Sequence, residues 1–258
     1  MRSLVLVTGG TGRLGAHVVR GLTERGCKVR VLSRKQLEGN DRVEYVAGDL
    51  VKAIGVDEAV AGAVAIVHCA SARKGDDTAT LNLVKAAAAG TPLPHLVFVS
   101  IVGVDGIPYS YFQTKLTCER IVKASGLPWT IQRATQFYDF ILNGAKSTTW
   151  LPIVPVPKQF RVQPIDPAEV GAKLVDLALG PPSGRVPDIG GPNVSTWAQM
   201  VRQYLQATNR RRVVVELPMP MTRQIRAGGL LVGAGAGGTM LLPYGKTTWA
   251  EFLQRRLN

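Results

Sequence analysis

Thr8-Gly9-Gly10-Thr11-Gly12-Arg13-Leu14-Gly15 is the stretch whose reading decides the fold. It follows an apolar run of strand length, residues 3–8, and opens an amphipathic stretch of helix length, residues 12–25. A strand, a glycine turn and a helix in that order form the context in which a glycine fingerprint is meaningful. The glycines at 9, 12 and 15 have separate tasks. Gly9 permits a tight turn, Gly12 lets backbone approach a pyrophosphate, and Gly15 lets the helix pack close to the strand. The helix start adds free N–H groups and the positive end of the helix dipole. The segment therefore predicts a dinucleotide cradle contacted by Gly9, Thr11, Gly12, Arg13, Leu14 and Gly15.

Outward from this turn the same alternation repeats. Strand-length apolar runs at 28–33, 43–47, 65–69, 95–100 and 129–134 are interleaved with helical patterns near 57–61, 76–89 and 109–124. Six such strands predict an α/β, doubly wound parallel sheet of the Rossmann type. After Ala134 the alternation fails and prolines accumulate at 152, 155, 157, 164 and 167. Residues 1–134 are thus expected to form the dinucleotide-binding core, and residues 135–258 a small mixed α/β C-terminal lobe for substrate. That lobe is expected to hold helices near 167–179, 195–207 and 247–257, with short strands near 186–189 and 213–217.

An acidic residue at the end of the second strand would select NAD, whereas a cation there suits the 2′-phosphate of NADP. This chain has Ser33-Arg34-Lys35, so NADP(H) is the expected cofactor. Residues at the carboxyl ends of parallel strands line the ligand crevice. Cys69, Ala70, Ser71, Ile101, Ala134, Thr135, Gln136 and Phe137 are accordingly expected beside cofactor or substrate. Cys69 reads as a small, inert thiol rather than a reactive one.

Tyr111-Phe112-Gln113-Thr114-Lys115 places Tyr111 and Lys115 one helical turn apart on a shared face. An ammonium in that position favours the phenolate, so Tyr111 can give a proton to a nascent alkoxide. Ser100 closes the preceding strand and is expected to orient a substrate carbonyl, while Lys115 also holds the nicotinamide ribose. Tyr109 falls on another part of the helix and reads as packing or pocket wall.

The T-G-x-T-G-x-x-G turn resembles that of the extended and atypical short-chain dehydrogenase/reductases. Residues 100–105, Tyr111 to Lys115, Glu119, residues 125–131, Arg133, Asp166 to Val170 and residues 248–253 resemble the NmrA-like atypical members of that group. The resemblance implies that Arg13 joins Arg34 around the 2′-phosphate. It also implies that Gly48-Asp49-Leu50 is an adenine-binding motif in which Asp49 accepts from the adenine amino group. NmrA-like proteins include NADP(H)-dependent reductases and non-catalytic cofactor-sensing regulators, and the retained Y-x-x-x-K favours an enzyme. Many relatives read Arg-Pro where this chain reads Arg133-Ala134-Thr135. The function expected is an NADPH-dependent oxidoreductase passing hydride to a carbonyl, quinone or conjugated apolar substrate. A cofactor-sensing regulator, or an epimerase or cyclase on the same scaffold, is the alternative.

Composition narrows the class further. The chain has 258 residues, 46% hydrophobic and 19% charged, enough to bury a core. The net charge of +13 is dispersed apart from Arg210-Arg211-Arg212, so no specific nucleic-acid partner is expected. Cys27, Cys69 and Cys118 form no C-x-x-C pair, and His17, His68 and His95 lack ligand spacing, which predicts reduced thiols, a cytoplasmic setting and no metal. The apolar start breaks into glycines after a short run, unlike a secretory signal. Residues 227–243 are too glycine-rich and short to span a bilayer, so no membrane association is expected. Phe137, Tyr138, Phe140 and Trp150 cluster where the lobe begins, which suits a small apolar or aromatic substrate as well as an ordinary core.

Overall fold

The computed structural model describes residues 3–71, 74–218, 220, 223–233 and 244–257. In chain order the first half runs β1 (Leu4–Thr8), α1 (Arg13–Glu24), β2 (Lys28–Ser33), β3 (Val43–Ala47), α2 (Val56–Val60), β4 (Ala65–His68), α3 (Asp76–Ala88), β5 (His95–Ile101), α4 (Ser110–Lys123) and β6 (Trp129–Ala134). The second half runs α5 (Tyr138–Thr148), β7 (Ile153–Pro157), β8 (Arg161–Val162), α6 (Pro167–Leu179), β9 (Gly184–Arg185), β10 (Ser195–Thr196), α7 (Trp197–Ala207), β11 (Val213–Leu217), α8 (Arg223–Arg226) and α9 (Trp249–Leu257).

Two compact units are formed. The first comprises residues 1–100, 109–133 and 168–187, and the second residues 101–108, 134–167 and 188–258. The division read from sequence at residue 134 is therefore crossed twice. Residues 101–108 are counted with the second unit, and most of α6 with the first.

The sheet of the first unit has the order β3-β2-β1-β4-β5-β6-β9. Pairing is parallel between β1 and β2, β1 and β4, β2 and β3, β4 and β5, and β6 and β9. This is the doubly wound order expected from the repeated strand and helix pattern. β1 and β4 are buried almost throughout because a parallel sheet is covered on both faces. Leu6, Ile66, Leu83, Leu96, Phe98 and Ile131 are fully buried members of one core cluster. The chain reverses its winding between β1 and β4, which opens the ligand crevice at the carboxyl ends of those two strands.

The second unit has its own core. α5, α7 and α9 enclose Tyr138, Ile141, Met200, Tyr204, Trp249 and Phe252. Trp249 and Phe252 stack at 5.6 Å, and the Tyr138 ring lies 5.1 Å from Phe252. The buried polar tips are satisfied: the Tyr138 hydroxyl donates to Thr247 O at 2.9 Å, and Trp249 Nε1 donates to Met200 O at 3.1 Å. Thr196 and Gln199 form a reciprocal capping box at the start of α7.

Three expectations change after Ala134. The segment after Ala134, read as irregular, contains the helix α5, whose Ile141, Leu142 and Ala145 face the core. The strand expected at 186–189 is instead β9 at Gly184–Arg185, followed by an isolated bridge from Ile189 to Ala134. The aromatic group does not stay together: Tyr138 is core, whereas Phe140 and Trp150 are 57% and 70% exposed. Among the described residues no helix is long and apolar enough to cross a membrane. Residues 234–243 of the glycine-rich stretch lie outside the described residues, as do Met1 and Arg2.

Candidate functional site

The glycine turn is built by steric necessity. Gly9 has φ +69°, a left-handed conformation that L side chains rarely adopt. Its carbonyl accepts from Gly12 N at 2.9 Å and closes the turn. A Cβ on Gly15 would lie 2.1 Å from that same Gly9 oxygen, and a Cβ on Gly9 would lie 2.7 Å from Ala70 N. A Cβ on Gly12 would meet only Gly9 O, at 3.1 Å. Gly12 is thus the least crowded of the three.

The start of α1 at this turn has no side-chain cap. Gly12 is its N-cap with no side-chain cap bond, and no acidic residue lies in the first turn. Thr11, Gly12 and Arg13 are exposed, while Leu14 and Gly15 are buried against the strand layer. These residues fit the phosphates of a dinucleotide. At the end of β2, Arg34 and Lys35 are both exposed, and Lys35 N donates to Ser33 Oγ at 3.1 Å, which shapes the turn that carries them.

After β3, Asp49 is partly committed to its own loop. Its Oδ1 accepts from Val51 N at 2.8 Å and Lys52 N at 3.2 Å, and its backbone pairs with Ile54. Leu50 is buried in the core cluster beneath that loop.

The crevice strands are tied by a buried chain of hydrogen bonds. The Thr80 hydroxyl donates to Asp76 O at 2.7 Å, so it can only accept from His68 Nε2, 3.2 Å away. His68 is thus the Nε2–H tautomer, and its Nδ1 accepts from the Thr8 hydroxyl at 2.6 Å. Thr8 Oγ1 in turn accepts from Ala70 N at 3.3 Å. Burial, and then the Lys115 charge, push the His68 pKa down to about 3, which keeps the ring neutral. Cys69 follows in the same turn, and burial pushes its thiol up to about 12, consistent with an inert role.

Lys115 and Asp76 form the charged centre of the unit. Lys115 is 3% exposed, and its Nζ lies 3.2 Å from Asp76 Oδ2 and 5.3 Å from the centre of the Phe98 ring. Asp76 is 5% exposed and also accepts from the Ser71 hydroxyl at 2.8 Å. Tyr111, one turn before Lys115 on α4, is 46% exposed, with its ring edge against Phe112. Tyr109 is the exposed N-cap of the same helix and does not pack inward.

Ser100 departs from the expectation. It is 1% exposed, and its Oγ has no well-formed hydrogen bond. It lies in the sheet layer beside Glu119, buried where an exposed hydroxyl was expected. Glu119 is itself fully buried and receives both Nε and Nη2 of Arg133, at 2.7 and 2.8 Å. Desolvation raises the Glu119 pKa, but the Arg133 bonds, the nearby Ser100 hydroxyl and the Arg133 and Lys123 charges outweigh it and hold the carboxyl low.

Ile101, Ala134, Thr135 and Phe137 are counted with the second unit. Ile101 is half-buried at the end of β5, and Thr135 donates its hydroxyl to Gln163 O at 2.6 Å. Gln136 Nε2 donates to Leu230 O at 3.1 Å, and the Phe137 backbone bridges to Ile165. Asp76 was not foreseen as a site residue. Its only sequence signal is a carboxylate in the first turn of a helix, which reads as ordinary dipole compensation. Among the described residues no His, Cys, Asp and Glu group could hold a metal ion.

A family model described as NAD(P)H-binding matches residues 9–180, well over half of the chain. The ceramide reductase of Caulobacter vibrioides is 29% identical over 255 residues, covering 90% of this chain and 78% of that protein. The NADPH-dependent quinone oxidoreductase of Escherichia coli, solved with NADPH, superimposes with a TM-score of 0.80 at 16% identity over 98% of this chain and 100% of that one. The triphenylmethane reductase of Citrobacter, solved with NADP(H), gives 0.74 at 15% identity over 97% and 99%. The two solved structures share the doubly wound fold, and the sequence match carries the glycine cradle with it. On these grounds the chain belongs to the NAD(P)H-binding family, in keeping with its resemblance to the NmrA-like atypical short-chain dehydrogenase/reductases.

Proposed function

We propose that this chain is an NADPH-dependent oxidoreductase that reduces a small carbonyl, quinone or conjugated apolar substrate, with Tyr111 as the proton donor. The observation that carries the reading is that an exposed Tyr111 and a buried Lys115, ion-paired to Asp76, lie one turn apart on α4. The names of the three proteins compared above, each a reductase or oxidoreductase, support the class.

NADPH, when bound, supplies the hydride. The Gly9 to Gly15 turn and the open start of α1 hold the phosphates, and Arg34 with Lys35 and Arg13 attracts the 2′-phosphate. Lys115 would hold the nicotinamide ribose, one helical turn from Tyr111. Tyr111 hands its proton to the substrate oxygen as negative charge develops there.

The test is NADPH consumption against a panel of carbonyls and quinones, repeated with Tyr111→Phe. The expected outcome is turnover by the native chain and a loss of about 100-fold in kcat in the variant, with NADPH affinity kept. Turnover by Tyr111→Phe at the native rate removes Tyr111 from the mechanism. The enclosure of Ser100 favours a second reading, a cofactor-binding regulator without turnover. Tight NADPH binding with no consumption across the panel selects it.

A further inference from the structure

We propose that Asp76 is a positioning residue for Lys115: its carboxylate holds the Lys115 ammonium in place, and through it governs cofactor affinity and turnover. The proposal rests on the reading of Lys115 as the ribose and phenol partner.

An ammonium withdrawn from water is costly unless a partner of opposite charge meets it. Lys115 is 3% exposed, and Asp76 Oδ2 at 3.2 Å is the opposite charge it meets. On another side the Phe98 ring, 5.3 Å away, offers its negative face to the same ammonium. These contacts leave the amine little room to choose another place.

Asp76 is in turn fixed from the crevice. Its Oδ2 accepts from the Ser71 hydroxyl just beyond β4, at 2.8 Å. Its backbone carbonyl accepts from Thr80, which is linked through His68 to Thr8 at the end of β1. The carboxylate on α3 is therefore indexed to the strand ends that form the glycine cradle, and it carries that index to Lys115 on α4. Removing its charge leaves a buried amine without this ion-pair partner, and its position is no longer held. Asp76→Asn keeps the side-chain shape and a bond to Ser71, but not the ion pair.

The experiment compares Asp76→Asn, Lys115→Met and the double variant in the full-length protein. Three quantities are read: NADPH affinity by nicotinamide fluorescence, kcat and KM for a reduced substrate, and Tm. Asp76→Asn is expected to weaken NADPH about tenfold and to lower kcat more than it raises the substrate KM. The double variant should be no worse than Lys115→Met alone, because both changes remove one device. Additive losses, or native NADPH affinity in a folded Asp76→Asn, overturn the proposal. Should Asp76→Asn fail to fold, Ser71→Ala serves instead, with a two- to threefold weaker NADPH affinity expected and an unchanged affinity overturning the idea. If no substrate is turned over, the oxidoreductase reading falls, while the affinity measurements still decide the role of Asp76.

Discussion

Gly9 and Gly15 pack so closely that a Cβ on Gly15 would stand 2.1 Å from the Gly9 carbonyl oxygen. Backbone cannot yield at that distance, so Gly15→Ala must push α1 away from β1. We expect Gly15→Ala to lower stability by about 1–3 kcal/mol, the usual range for overpacking, and to abolish measurable NADPH binding. Gly12→Ala should keep a near-native Tm, since its added methyl meets only one atom at 3.1 Å, yet weaken NADPH by filling the ligand side of the turn. Thermal melts and cofactor titration on both variants check this, and equal Tm losses would contradict the assignment of separate tasks.

Arg34 stands exposed at the end of β2, where no carboxylate occupies the ribose-binding position. NADPH should bind more tightly than NADH, and Arg34→Ala should remove about 10- to 100-fold of that preference, the range for one or two charge-assisted hydrogen bonds. NADH affinity should hardly change. Equal affinities for the two cofactors in the native chain would refute the 2′-phosphate assignment.

Glu119 and Arg133 are both buried and bonded through two atoms each. Removing one partner strands a charge in the core, so Arg133→Met should cost about 3–5 kcal/mol. The folded Glu119 pKa lies below its usual value. Its contribution is therefore complete above the unfolded carboxylate pKa of about 4.3 and fades as pH falls below that, towards the lower folded value. Denaturant titrations of Glu119→Gln from pH 7 to 3 should show lower stability overall but a shallower acid limb than the native chain.

His68 provides a second, higher window. Its folded pKa of about 3 lies below the ordinary 6.5, so the unfolded state takes up a proton first as the solution is acidified. The native chain should hold full stability above pH 6.5 and lose about 2 kcal/mol from this group by pH 5. His68→Gln should abolish the slope between pH 6.5 and 5. Nitrogen chemical shifts of the native ring should report the neutral Nε2–H form at pH 6, and a charged ring there would contradict the hydrogen-bond assignment.

Much of the first unit was legible before any coordinates. The six strands and four helices up to residue 134 fall within one residue of the bounds expected from the sequence. Parallel strands buried on both faces are written as continuous apolar runs, and amphipathic helices as runs of longer period, so both are local signals. The second unit was less legible. α5 carries helical spacing at Ile141, Leu142 and Ala145, but the prolines that follow drew the reading towards an irregular segment.

The sequence by itself determined the glycine turn, the order of strands and helices up to residue 134, the basic end of β2, and the helical spacing that puts Tyr111 and Lys115 on one face. All of these depend on neighbours a few residues apart. Tertiary structure decided what those residues meet. Ser100 ends a strand like any crevice residue, yet the pleat turns it inward beside Glu119. Lys115 finds Asp76 on α3, and His68 links Thr8 to Thr80, across separations that no local pattern encodes. Burial and pairing arise only when distant segments pack, so the ion pair of Lys115 and the neutrality of His68 belong to the fold rather than to the motif.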